Sequence, residues 1–401
     1  MLRSLTYLAF LVCLSLPGLA KSALEGHFYL SKENYLAGEP VFLEFEVQNK
    51  GSQPVMIQTA DPWSFCGGYT IEVEGAKSLQ SFGCNGGVGG SCASSDEILK
   101  PGGKHIDRIL LNESYDLRQP GNYSLHVTHE LPYGSGDGDL ATLSQGPRET
   151  FDARMEIVLG VSRDSELKPE FQRYLLELQS DDPRRIEAAD VIASLAPVFL
   201  ETTIIHMLDV PSLQYFGVRG LRNLGTPTAH HALLSFVKNS PPTQVSGPYQ
   251  DAIRYLGEIG DRNDLAALLQ VAHANPADSY SRELAIESAG KIGGDDSVPL
   301  LAAELKNTSI DVRQAAVRAL YLTGSRSAVP ILIELLRSPN ERVSGTAEFG
   351  LEVLTHRSAR QTDSVSTPAV SYPTWTRWWS IRRNSAEIFE YDQCGAVLPL
   401  D

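Results

Sequence analysis

The feature that most constrains the fold is a repeat that runs from about residue 166 to residue 359 of this 401-residue chain. Glycines recur at intervals of 35, 33 and 31 residues, with apolar residues at fixed distances on either side. The columns are Gly225, Gly260, Gly293 and Gly324; seven residues earlier Val218, Ile253, Ile286 and Val317; and eight residues later Leu233, Leu268, Leu301 and Leu332. Each unit therefore predicts an apolar-faced helix, a turn at the glycine and a second apolar-faced helix. Because one helix pair cannot bury its apolar face alone, we expect the units to stack into an α-solenoid.

Two further units, in which another residue replaces the glycine, extend the repeat at its ends. Ala196 lies 29 residues before the first glycine and His356 lies 32 residues after the last, which gives five or six helix pairs. We expect the glycines to end the first helix of each pair in a left-handed conformation, which other residues adopt only with strain. Polar residues that follow, such as Asp261 and Asp295, are then expected to cap the second helix.

One stretch of the repeat carries a family motif. It reads Asp311-Val312-Arg313-Gln314-Ala315-Ala316, then Ala319-Leu320, Gly324 and Ala328-Val329-Pro330-Ile331-Leu332. This stretch resembles the HEAT-like repeat named after the phycobilisome lyases. The resemblance covers about half of the chain and implies the solenoid fold. It implies little about function, because most chains with these repeats are scaffolds rather than lyases.

From about residue 24 to residue 161 the hydrophobic period is two instead. Val41, Leu43, Phe45 and Val47 alternate with polar or outward-facing residues, and the same rhythm returns in three later segments. This alternation, with Gly- and Pro-containing turns between the segments, predicts an antiparallel β-sandwich. The motifs Tyr35-Leu36-Ala37-Gly38-Glu39-Pro40-Val41 and Pro120-Gly121-Asn122-Tyr123 make it similar to bacterial Ig-like or macroglobulin-like modules. The similarity implies a domain that binds or spaces other proteins.

Residues 1–20 predict a secretory signal peptide. Arg3 precedes an apolar run, Pro17 breaks it, and Gly18-Leu19-Ala20 offers small residues for cleavage. The alternative is a membrane anchor, for which the run is short. No other segment approaches the length of a membrane span, so we expect export to the periplasm or cell exterior without stable membrane insertion.

Four cysteines remain after the predicted cleavage. Cys66, Cys84 and Cys92 lie close together in the sequence, and Cys84 and Cys92 flank a glycine-rich loop. In an exported protein a local disulfide among these three would restrain that loop, although the pairing stays open. Cys394 is free to pair with them, to pair between chains or to stay reduced.

Three tryptophans lie near the C-terminus in the segment 372–401. Trp375, Trp378 and Trp379 have the spacing of one helical face. The favoured interpretation is a capping helix that covers the apolar end of the last repeat. The alternative is an exposed aromatic patch for a glycan or a protein partner.

A binding face is predicted on the helix before each glycine. Its candidate partner-binding residues are Arg219, Arg222, Arg254, Glu258, Glu287, Lys291, Arg318 and Tyr321. The mixed signs favour a protein or peptide partner over a polyanion. The chain as a whole, with 34 Lys and Arg against 49 Asp and Glu, also argues against nucleic acid, whose binding depends on cationic residues.

The sequence nominates no catalytic residue, cofactor or metal ligand. HEAT-repeat hydroxylases that act on deoxyhypusine hold iron with repeated His-Glu dipeptides, whereas His-Glu occurs once here, at His129-Glu130 in the β region. We therefore expect a non-catalytic adaptor. The alternatives are an enzyme of the repeat's lineage, either a metal-dependent hydroxylase or oxidoreductase or a bilin lyase, and a secreted protease inhibitor that uses the loop Gly83–Ser95.

Overall fold

The computed structural model describes residues 23–60, 68–79, 94–136, 143, 146–180, 184–240, 247–274, 279–359, 368–389 and 398–399. The predicted signal peptide and all the cysteines, including Cys66, Cys84, Cys92 and Cys394, lie outside these residues. The chain divides into two compact units, one made mostly of strands up to Gly160 and one made mostly of helices from Val161 onward, with the Leu36–Pro40 turn grouped with the helices.

The β unit is a sandwich of two antiparallel sheets. Its described strands are β1 Leu24–Leu30, β2 Tyr35–Leu36, β3 Phe42–Asn49, β4 Val55–Ala60, β5 Tyr69–Glu74, β6 Lys77–Ser78, β7 Ser94–Leu99, β8 Lys104–Leu110, β9 Tyr115–Asp116, β10 Gly121–Ser135 and β11 Arg148–Gly160. One sheet has the order β1-β3-β8 and the other the order β2-β11-β10-β4-β7, with β5 also paired to β10. Strands β7 and β8, which are consecutive in the chain, thus lie at the edges of different sheets.

Both sheets contribute to one apolar core. Val41, Leu43, Phe45 and Val47 are fully buried, as their alternation predicts, and they pack with Leu125, Val127 and Ile157 of the second sheet. Phe42 departs from strict alternation because it is also buried, with the guanidinium of Arg108 3.7 Å from the centre of its ring.

The second unit is a stack of helices. Its described helices are α1 Asp164–Leu178, α2 Arg184–Leu195, α3 Glu201–His206, α4 Gln214–Leu224, α5 Pro227–Asn239, α6 Gly247–Ile259, α7 Leu265–Ala274, α8 Ser279–Ile292, α9 Val298–Glu304, α10 Ile310–Leu322, α11 Ala328–Leu335, α12 Glu341–Thr355 and α13 Pro368–Arg382. The helix pairs α4/α5, α6/α7, α8/α9 and α10/α11 surround the four repeated glycines. The predicted fold class, a β-sandwich followed by an α-solenoid, is confirmed.

The turns follow the predicted conformation with one exception. Gly225, Gly293 and Gly324 have φ of 60°, 79° and 61°, and the two residues that replace glycine, Ala196 and His356, have φ of 44° and 50°. The prediction is wrong at Gly260, whose φ is not in the left-handed region. Glycine is required there by space instead, because a Cβ atom would lie 2.2 Å from the carbonyl oxygen of Leu256.

Only one of the two predicted caps is present. The carboxylate of Asp261 accepts a hydrogen bond from the backbone N–H of Asn263 at 2.7 Å and so caps the short turn Arg262–Asp264 that leads into α7. Asp295 does not cap α9, because Ser297 occupies the cap position. The Asp295 carboxylate accepts hydrogen bonds from the hydroxyls of Ser325 and Ser327 in the next unit.

The end of the stack is covered by α13, which packs against α11 and α12. Trp375 is fully buried, Trp378 is nearly so, and Trp379 is half-buried. These positions fit the capping interpretation better than an exposed aromatic patch. Two short strands, β12 Arg357–Ser358 and β13 Leu398–Pro399, pair in parallel in the same unit.

Candidate interaction surface on the helical repeats

The first helices of successive repeats, α2, α4, α6, α8, α10 and α12, pack against one another in chain order. In this row the residue three positions before one turn meets the residue five positions before the next. A Cβ atom on Gly257 would lie 2.7 Å from the Cα of Ser288, and a Cβ atom on Gly290 would lie 2.6 Å from the Cα of Ala319. Small residues at these positions therefore let the α6, α8 and α10 backbones touch.

The junction between α4 and α6, which we call the Arg222 junction, is built differently. The equivalent positions hold Arg222 and Tyr255, and the Arg222 guanidinium lies 5.3 Å from the centre of the Tyr255 ring. The same guanidinium donates hydrogen bonds of 3.3 and 3.4 Å to Oε2 of Glu258. Long side chains, rather than touching backbones, thus hold these two helices together, and their contact is the least extensive in the row.

Most of the predicted partner-binding charges are paired within the stack. Arg219 pairs with Asp190 of the preceding unit, and Arg318 pairs with Glu287 and with Glu283 of the unit before it. Together with Arg222 and Glu258, these charges form links between neighbouring first helices. The pairing explains the mixed signs of the face without a partner.

The remaining predicted residues differ in exposure. Arg254 pairs with Asp251 of its own helix, and its Nη2 atom lies 3.5 Å from the hydroxyl of Tyr280. Lys291 is exposed. Tyr321 is only 6% exposed and packs edge-on against Phe349, with 5.8 Å between ring centres, so it cannot present its ring to a partner.

An aromatic and basic surface surrounds the Arg222 junction. We define the tyrosine–arginine patch as Tyr215 and Arg222 on α4, Arg254 and Tyr255 on α6, and Tyr280 on α8. The side chains of Tyr215 and Tyr280 are 46% and 51% exposed, which is high for large aromatic residues. Tyrosine and arginine are the residues that most often dominate the binding energy of protein interfaces.

The electrostatics of the patch are those of a partly desolvated surface. Burial raises the pKa of the Tyr255 hydroxyl, and the negative charge of Asp251 raises it further. Burial alone would lower the pKa of Arg254, but its contacts with Tyr280 and Asp251 outweigh burial and raise the pKa. Arg254 therefore stays a cation and Tyr255 stays a neutral phenol.

The three tyrosines of the patch were not among the residues predicted from the sequence. A signal for Tyr255 exists, because the column five before each turn reads Gly220, Tyr255, Ser288 and Ala319. Tyrosine is the one bulky residue in that column. Tyr215 and Tyr280 stand at no repeated position, so the sequence pattern does not indicate that they are exposed.

The histidines that could serve in catalysis or metal binding make structural contacts instead. Nε2 of His230 lies 2.7 Å from Oδ2 of Asp264, and Nε2 of His273 lies 2.7 Å from Oε1 of Glu304, so both histidines link neighbouring repeats. His129, from the single His-Glu dipeptide, is buried in the β core. Within the described residues no group of three or more His, Cys, Asp or Glu is placed to hold a metal ion. In the same part of the chain, none of the helices has the length and hydrophobicity to cross a membrane.

Two of the clefts lined by described residues are open to solvent. One, of about 430 Å³, lies over the face of β5, β10 and β11 and is lined by polar side chains such as His126 and Arg154. The other, of about 390 Å³, lies in the helical unit and is lined in part by Ile205, Leu208 and Phe236. The loop Gly83–Ser95 of the inhibitor alternative lies almost entirely outside the described residues.

Comparison with known proteins identifies the repeat. Residues 272–352, about one fifth of the chain, match the family model of HEAT repeats. The helical unit therefore contains HEAT repeats, as the motif around Gly324 predicts. No curated protein sequence matches the chain.

Solved structures resemble parts of the chain at low identity. The complex of CpcE and CpcF of phycocyanin lyase from Nostoc sp. PCC7120 is 19% identical, with 52% of this chain and 82% of that chain covered and a TM-score of 0.28. An engineered protein is 21% identical, with 46% and 95% covered and a TM-score of 0.31. Aminopeptidase A from Legionella pneumophila, in complex with aspartic acid, is 11% identical, with 81% and 39% covered and a TM-score of 0.32.

Proposed function

We propose that this protein is a non-catalytic adaptor, exported to the periplasm or the cell exterior, that binds a protein or peptide partner through its HEAT repeats. The observation that carries the proposal is the exposure of Tyr215 and Tyr280 beside the cations of the tyrosine–arginine patch. Phenol rings and guanidinium groups at a partly desolvated surface supply apolar contact together with hydrogen-bond donors. The contacts of Arg222 with Glu258 and of Arg254 with Asp251 position the two guanidinium groups of the patch before binding.

Site-specific photocross-linking of the full chain tests the proposed surface. A photoreactive amino acid is introduced at Tyr215 or Tyr280, and, as a matched control, at Leu300, which is 44% exposed but lies on the second helix of its repeat. We expect one discrete adduct from the two patch positions, competed by excess unlabelled protein, and none from Leu300. Equal adducts at all three positions, or no adduct at the patch, would contradict the proposed surface.

Two measurements test the other parts of the proposal. Cell fractionation with sequencing of the mature N-terminus tests export, and a mature chain that begins near Lys21 is the expected result. Metal analysis and an absorbance spectrum of the protein from its own fraction test the metal-dependent and bilin-lyase alternatives. Stoichiometric iron or zinc, or a bound chromophore, would favour an enzyme of the HEAT-repeat lineage instead.

A further inference from the structure

The two sheets of the β unit are joined at one edge by a histidine. Glu97 lies on β7, the edge strand of the larger sheet, while His105 and Asp107 lie on β8, the edge strand of the smaller sheet. Nδ1 of His105 is 2.6 Å from Oε2 of Glu97, and Nε2 is 2.9 Å from Oδ1 of Asp107. The imidazole ring therefore connects a carboxylate of one sheet with a carboxylate of the other.

This arrangement depends on the proton count of His105. A carboxylate only accepts hydrogen bonds, so both contacts are hydrogen bonds only when both ring nitrogens carry a proton, as in the imidazolium form. Burial alone would lower the pKa of His105, but the hydrogen bonds and charges of Asp107 and Glu97 outweigh burial and raise its pKa above the ordinary 6.5. The neutral ring has one N–H and can keep only one of the two bonds.

The surroundings determine which bond is kept. Asp107 is buried and also accepts a hydrogen bond of 2.5 Å from the hydroxyl of Tyr69 on β5, whereas the side chain of Glu97 is 45% exposed. Burial and Asp107 raise the pKa of Tyr69, so the phenol stays protonated. The charged groups in contact with the His105 ring are Glu97 on β7 and Asp107 on β8, and both raise its pKa. Water can replace His105 at Glu97 but not at Asp107, so the contact between the sheets is the one that breaks.

We propose that His105 is a proton-controlled clamp between the two sheets: protonated, it ties β7 to β8 through Glu97 and Asp107, and loss of one proton releases Glu97. Because the folded state holds this proton more tightly than the unfolded chain, the clamp contributes its full stability below pH 6.5. The contribution is lost as pH rises through the folded pKa of His105. The sheets then stay joined here by the hydrogen bonds from Tyr69 to Asp107 and from the Asn49 amide to the carbonyl oxygen of Leu99, while the contact of Glu97 is lost.

Histidine side-chain NMR of the full chain, recorded as a function of pH, tests the clamp directly. The signal that disappears in a His105→Gln variant identifies His105, and its nitrogen shifts report both protons. We expect a pKa above 6.5 in the natural protein and a lower pKa in Glu97→Gln, which removes the charge but keeps an acceptor oxygen. A His105 that titrates at or below 6.5, or a pKa that does not change in Glu97→Gln, would overturn the proposal.

Thermal unfolding as a function of pH provides a second readout. Above pH 6.5 the natural protein should lose melting temperature with rising pH, and Glu97→Gln should lose less. The control is His126→Gln, since Nε2 of His126 lies 2.9 Å from Asp152 on β11, within a single sheet. His126→Gln should leave the alkaline slope unchanged. A slope identical in Glu97→Gln and the natural protein would contradict the clamp even if His105→Gln fails to fold.

Discussion

At the scale of single residues, the β unit shifts the pKa of two histidines in opposite directions: it raises that of His105 and lowers that of His129. His129 is fully buried, stacked on the ring of Tyr69 with 3.8 Å between ring centres, and edge-on to Phe45 at 4.9 Å. Neither of its ring nitrogens is hydrogen-bonded to another described residue. Burial lowers the pKa of His129 to about 4, against a smaller opposing effect of the Asp107 carboxylate. Two side chains, Tyr69 and Asp107, connect the buried His129 to His105.

We predict that His129 weakens the protein in acid. Its folded pKa lies below its unfolded value, so the stability it contributes is full above pH 6.5 and is lost as pH falls toward 4. Linkage gives a loss of about 2 kcal/mol between pH 7 and pH 5. His129→Phe keeps the ring but cannot take a proton, so its free energy of unfolding in urea should fall less over this interval. An equal fall in the natural protein and in His129→Phe would show that other groups cause the acid sensitivity.

The repeat columns show how much of the helical unit can be predicted from single residues. Ala196 and His356, which replace glycine, share its left-handed turn, because the alignment of apolar residues around them fixes the position of the turn. Gly260 does not adopt the left-handed conformation. Glycine is needed there because a Cβ atom would clash with the carbonyl oxygen of Leu256. The column six before each turn reads Asp190, Arg219, Arg254, Glu287 and Arg318. The sequence assigns Arg219, Arg254, Glu287 and Arg318 to a partner, because only the structure shows that Arg219 reaches Asp190 and that Arg318 reaches Glu287.

At the scale of helices, small residues set the spacing of the first-helix row. A Cβ atom on Gly290 would lie 2.4 Å from the carbonyl oxygen of Ala319, and that oxygen belongs to the backbone of α10. Backbone cannot move aside as a flexible side chain can, so any larger residue must push the two helices apart.

We predict that Gly290→Ala destabilises the protein by about 1 to 3 kcal/mol through this clash. The matched control is Gly345→Ala in α12, where a Cβ atom would meet nothing within 4 Å. Alanine is the better helix former, so the control should gain about 0.5 to 1 kcal/mol. Melting temperatures of the two variants and the natural protein measure both effects. A stable Gly290→Ala protein would mean that α8 and α10 can separate freely.

At the scale of the whole molecule, the helical unit secures its own C-terminal segment. The guanidinium of Arg326, in the loop after Gly324, donates hydrogen bonds of 2.6 Å to the carbonyl oxygens of Arg383 and Ala386. The backbone N–H of Phe389 donates to the carbonyl of Leu354 at 2.9 Å, and the Phe389 ring stacks on His356. The segment after α13 is therefore fixed to two repeats at once.

We predict that Arg326→Ala loosens this segment without unfolding the repeats. Two carbonyl groups, an exposed one on Arg383 and a partly buried one on Ala386, lose a charged donor, which costs about 1 to 3 kcal/mol locally. Limited proteolysis should then cut residues 383–389 faster than in the natural protein, while the melting of the helical unit stays unchanged. The control is Arg377→Ala on the exposed side of α13. Equal cleavage rates in both variants would remove Arg326 from this role.

The sequence predicts the fold class of the β unit, but it does not predict the contact between Glu97 and His105 on its edge strands. The alternation of Val41 to Val47 fixes which side of β3 faces the core, because side chains on a strand point to opposite faces in turn. The contact of Glu97 with His105 depends on β7 and β8 belonging to different sheets, and no local pattern in the sequence encodes that assignment. Predicting it requires the pairing of strands far apart in the chain.

The Arg222 junction divides the helix stack mechanically. From α6 to α10 the first helices touch through their backbones, and such contacts are stiff because they have no side-chain torsions to relax. Between α4 and α6 the contact is made by the side chains of Arg222 and Tyr255, whose torsion angles can change. Under tension along the stack, extension would therefore begin between these two helices, and the repeats on either side would move as stiff arms about a compliant joint.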